Sequence, residues 1–92
     1  MKFIYPAVFH KTEKGTYEGY FPDLEDCHAS GETLDDAIED ANAAACSWIS
    51  IELEDGGHLL PPVSEPEDIE LKEGEIIRNI AANIRLFEGY DE

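Results

Sequence analysis

The stretch that most constrains this chain runs from Thr33 to Glu54. Leu34, Ala37, Ile38, Ala41, Ala45, Trp48 and Ile49 fall within one arc of a helical wheel, while Asp36, Glu39, Asp40, Ala43, Ser47 and Ser50 fall opposite. This spacing predicts one helix over 34–54, roughly 20 residues and about 30 Å long. Thr33 can cap it, with Asp36 at the reciprocal position of a capping box, and Asp35 and Asp36 sit where the helix dipole favours negative charge. Asp55, Gly56 and Gly57 supply the stop. A helix with one apolar arc must be covered by something, and in 92 residues only one core can form. We therefore expect a single domain over 1–92.

The cover lies upstream. Residues 2–10 alternate Phe3, Tyr5, Ala7 and Phe9 against Ile4, Pro6, Val8 and His10, a strand with both faces largely apolar. Pro6 cannot donate to a ladder, so the strand should be an edge near residue 6 or carry a bulge there. Gly15 closes a turn into a second strand over 16–21, and after FPDLED a short third strand occupies 27–31. Three strands form a meander across which the helix packs. Downstream, three prolines in HLLPPVSEPED make 58–68 an extended connection. The stretch from Glu75 onward is ambiguous. Ile76, Ile80, Ala82 and Ile84 alternate like a strand, yet Ile76, Ile77, Ile80, Ile84 and Phe87 also share a helical face.

Charge limits the partners. Twenty-two carboxylates against six Lys and Arg give a formal net charge of −16, a field that repels phosphate backbones and attracts basic proteins. Direct nucleic-acid binding is not expected. The nine aromatic residues and a hydrophobic share of 42% separate the chain from disordered acidic tails. No apolar run is long enough for a membrane span or arranged as a secretory leader, so the expected location is the cytoplasm, where Cys27 and Cys46 stay reduced.

The chemical motifs are sparse. His10, His28 and His58 have no spacing suited to a shared metal, and Cys27 and His28 point to opposite faces of a strand, so they cannot act as nucleophile and base. No metal, cofactor or catalytic residue is assigned. Asp23, Glu25 and Asp26 crowd one turn, and one of Tyr17 and Tyr20 should face away from the helix as an aromatic anchor. These five are the candidate partner-binding residues.

The string YPAVFHK, then FPDL, Cys27, Gly31-Glu32-Thr33-Leu34, Asp36-Ala37 and Ala41 resembles the HicB family of antitoxins. The likeness covers residues 1 to about 62. It implies an α+β, partial ribonuclease-H-like fold: an antiparallel β-meander, one long helix packed on it, a C-terminal strand over 75–84 and a tail over 85–92. The implied function is to bind a small basic HicA-like mRNA-cleaving toxin and cover its active site. Many members carry Pro-Gly after FPDL where Glu25-Asp26 stands here, and many carry a C-terminal DNA-binding module. Only about 20 residues follow Lys72, which implies a short form lacking a complete module. A sheet with an uncovered face or edge also implies a homodimer or higher even oligomer. Two rival readings are an orphan scaffolding module of the same fold and a metal-dependent nuclease. The nuclease reading needs a carboxylate on the first strand, and 3–9 has none.

Overall fold

In the computed structural model, which describes residues 2–54 and 60–84, four strands and one long helix form two layers. The strands are β1 (Lys2–Lys11), β2 (Tyr17–Tyr20), β3 (His28–Gly31) and β4 (Ile76–Asn83), and the helix is α1 (Leu34–Glu54). A single 3-10 turn, Pro66–Asp68, interrupts the proline-rich connection. The stop at residues 55–57, His58 and the tail from residue 85 lie outside the described residues.

Strand order is β3-β2-β1-β4, and every pairing is antiparallel. The β1–β2 hairpin closes through Gly15 at φ 89, with the Thr12 amide donating to the Thr16 carbonyl at 2.7 Å. The ambiguous segment is thus a strand. Its eight residues pair along β1 from Phe9↔Ile76 to Lys2↔Asn83.

That pairing makes β1 an interior strand over its second half, while at Pro6 it is an edge, as the proline implies. The register supplies the reason. The β2 ladder begins only at Val8↔Tyr20, so at Pro6 the strand is paired on the β4 side alone. No β2 hydrogen bond is denied by the missing N–H.

Alternation along β1 sends Tyr5, Ala7 and Phe9 to the helix side, where they join Ala29, Ile80, Ala82 and Ile84 in the core. The helix presents Ala37, Ala41, Ala45 and Ile49 to them, all buried. Alanine at three successive turns keeps the helix surface shallow, so its backbone comes close to the sheet. A Cβ placed on Gly31 would lie 2.4 Å from the Ala37 nitrogen, which is why β3 ends on glycine where the helix crosses. The helix starts as its cap predicts, with the Thr33 hydroxyl accepting from the Asp36 amide at 3.1 Å.

Candidate partner-binding surface

The FPDLED turn is built from alternating duties. Phe21, Leu24 and Cys27 are buried, and their main chains tie the loop into a tight coil: the Leu24 amide donates to the Phe21 carbonyl, and the Cys27 amide to the Leu24 carbonyl, both at 3.2 Å. Between these anchors Glu25 and Asp26 are exposed. Asp26 has φ 58, the left-handed region that favours glycine, and is the single non-glycine residue there among the described residues. Aspartate tolerates the conformation better than most residues, and it exchanges a strain-free turn for a second outward carboxylate.

Two contacts from distant sequence fix the turn. The Trp48 indole N–H donates to the Glu25 carbonyl at 2.9 Å, fastening the turn to α1. Asp23 is half-buried, and both its oxygens are engaged by Ser64, one by the amide at 2.8 Å and the other by the hydroxyl at 2.6 Å. The Tyr5 hydroxyl donates to the Pro61 carbonyl at 2.6 Å, so the proline-rich connection is strapped down at two points. Burial raises the Tyr5 hydroxyl above its ordinary value, and the nearby Asp23 charge adds to the shift. Burial likewise raises the Cys27 thiol.

The five sequence candidates therefore occupy four settings. Glu25 and Asp26 share the outward tip of the turn. Tyr20 is half-buried on the sheet face opposite the helix, level with Val8 and His28. Tyr17 packs against the core cluster on the helix side, and Asp23 holds the strap. Sequence reasoning named neither Ser64 nor Trp48 as partners of this turn; they lie far along the chain, and no local pattern marks them.

On the same outer face, His10 and Glu18 pair across strands at 3.5 Å, beside an open groove of about 460 Å³ that also touches Tyr20, His28, Ser30 and Asp40. Among the described residues no group of three or more His, Cys, Asp or Glu is placed to hold a metal ion, and no helix is long and apolar enough to cross a membrane.

The fold has known relatives. The model of a family described as the HicB_like antitoxin of bacterial toxin-antitoxin systems matches residues 5–82. Among solved structures, the N-terminal domain of the Burkholderia pseudomallei antitoxin HicB is 25% identical, with a TM-score of 0.78 over 88% of this chain and 99% of that one. A HicA3 and HicB3 toxin-antitoxin complex contains a chain 30% identical, with a TM-score of 0.66 over 90% of this chain and 99% of that one. The antitoxin HicB3 is 34% identical, with a TM-score of 0.67 over 85% of this chain, which spans 60% of that structure. A search of curated proteins finds no match.

Proposed function

The chain belongs to the HicB-like antitoxins of bacterial toxin-antitoxin systems, and from that membership we propose that it binds and neutralises a small basic HicA-like toxin that cleaves mRNA, by covering the toxin's active site. The observation that carries this reading is the rigid acidic turn. Glu25 and Asp26 project from a loop held by the Trp48 and Ser64 contacts and anchored by buried Phe21 and Leu24. A pre-ordered pair of carboxylates loses little entropy on meeting cationic side chains, and the charge of −16 behind it accelerates encounter. Tyr20 adds an aromatic contact beside the turn, whereas Tyr17 and Asp23 act by positioning. Self-association and life in the cytoplasm complete the reading.

The test begins with a pull-down of the tagged chain from its native lysate and identification of small proteins that elute. A small basic partner, toxic alone and harmless when co-expressed with this chain, supports the proposal. Glu25→Lys with Asp26→Lys should then lower affinity by at least about tenfold, near 1.4 kcal/mol, with a reduced salt dependence. If the double reversal binds as tightly as the parent, the turn is not the contact. Recovery of no small basic protein would favour the scaffolding module instead.

A further inference from the structure

Tyr20 and His28 pair across strands as the last residue of β2 and the first of β3, so the FPDLED turn leaves from one and returns to the other. The open groove of about 460 Å³ at this pair extends over Ser30 and Glu18 to His10. Asp40 reaches it from α1 at the β3 edge, where its carboxylate accepts from the Ser30 amide at 3.0 Å. The groove's two formal charges, Glu18 and Asp40, are thus both negative, and no Lys or Arg lines it among the described residues.

Two histidines and two carboxylates in one groove suggest a metal site. Among the described residues, however, no three such groups are placed to share an ion. What the groove offers is a negative slot with an aromatic wall. Glu18 is 59% exposed, and its 3.5 Å contact with His10 occupies one oxygen. Asp40 spends one oxygen on Ser30, and the other accepts no hydrogen bond from the described residues. Half-buried Tyr20 lines the slot beside them. We propose that this groove receives the guanidinium of an arginine on the basic partner.

The donor set selects arginine over lysine. A planar guanidinium carries five N–H donors, enough to serve both carboxylates, and it stacks on an aromatic ring. Lysine offers a compact, strongly hydrated charge with three donors. A neutral imidazole adds one acceptor nitrogen, so His10 and His28 can complete the shell. The groove is open, which suits the end of a side chain presented by a larger molecule. It also adjoins the turn that carries Glu25 and Asp26, so one basic surface can meet both. That the arginine belongs to a toxin rests on the antitoxin reading; the chemistry of the slot does not.

The test is a titration of the isotope-labelled full chain with Nα-acetyl-argininamide, and in parallel with Nα-acetyl-lysinamide, followed by NMR at about 0.15 M salt. The Ser30 amide, bonded to Asp40, and the His10 and His28 rings are the reporters. They should shift saturably, with the arginine probe bound about threefold or more tighter than the lysine probe. Glu18→Gln, an isosteric change at an exposed residue, should weaken the arginine probe about threefold or more. Tyr20→Leu should abolish the preference for arginine, with circular dichroism verifying that each variant keeps the fold. Glu39→Gln, outside the groove, should change nothing. Reporters that do not move overturn the proposal. So do shifts that spread over the acidic surface without saturating, or a titration that Glu18→Gln and Tyr20→Leu both leave intact. Because the probe is a single amino-acid derivative, these outcomes stand whether or not the pull-down recovers a toxin, and the two proposals fail separately.

Discussion

Asp40 and Asn42 stand two residues apart on α1 and hold opposite edges of the same sheet. The Asp40 carboxylate accepts from the Ser30 amide on β3, and the Asn42 carboxamide donates to the Ala81 carbonyl on β4. Two residues of helix turn the chain by about 200°, so the pair flanks the alanine stripe and reaches both ways. The sheet is thereby fastened to the helix at both margins.

Removing either fastener should cost about 0.5–1 kcal/mol, since each is a solvent-accessible bond to a backbone group. Asp40→Ala and Asn42→Ala should each lower the urea midpoint modestly. The double variant should lower it by the sum, because the two edges share no partner. Asp40→Asn keeps an acceptor and should cost less than Asp40→Ala.

Glycine 31 should be less replaceable than glycine 19. A methyl at Gly31 meets the Ala37 nitrogen at 2.4 Å and the Asp36 carbonyl carbon at 2.6 Å, both main-chain atoms that cannot turn aside. At Gly19 the nearest atoms are on the Phe9 ring, at 2.5 and 2.6 Å, and a side chain can rotate. Gly31→Ala should cost about 3 kcal/mol or more and Gly19→Ala about 1–3 kcal/mol, read from chemical denaturation.

Asp26→Gly should stabilise the protein by about 0.5–1 kcal/mol while weakening the proposed toxin complex. It relieves the left-handed conformation at φ 58 and deletes one outward charge. Opposite signs in a melting experiment and a binding titration are the expected signature. If both move together, strain and recognition are not separable at this residue.

Stability should be flat through neutral pH and fall in alkali. The Cys27 thiol and the Tyr5 hydroxyl are both raised by burial, from ordinary values of 9.0 and 10.0. A raised pKa favours folding fully below the unfolded value, and that contribution is lost as pH climbs through the folded one. Unfolding free energy should thus decline first above 9.0 and more steeply above 10.0. Tyr5→Phe should remove the second decline, and its loss of the Pro61 bond should appear at every pH.

What the sequence made legible was whatever local spacing encodes. Thr33 and the 3.6-residue period marked the helix, and alternation from Phe3 to Phe9 marked β1. Ile76, Ile80 and Ile84 fit both periods at once, because four residues is a near-multiple of each, so residue spacing left β4 open and the family resemblance favoured a strand. Asp40 had the look of a solvated helix acid, since nothing at its own position tells of a sheet margin 10 residues away in the chain. Asp23 likewise shares Ser64 across 41 residues, a contact that only the finished path of the proline-rich connection creates.

The β1–β4 register has a consequence for timing. Lys2 pairs with Asn83, near opposite ends of the described chain, and those long ladders give the sheet a high contact order. During synthesis, the N-terminal meander and helix emerge while the flank of Phe3 to Phe9 still lacks its partner strand. A nascent chain stalled before Ile76 would expose that apolar edge, and would lack the Ala81 carbonyl that Asn42 grips. The sheet is therefore completed only by its last strand, whose docking closes a loop over the whole intervening helix.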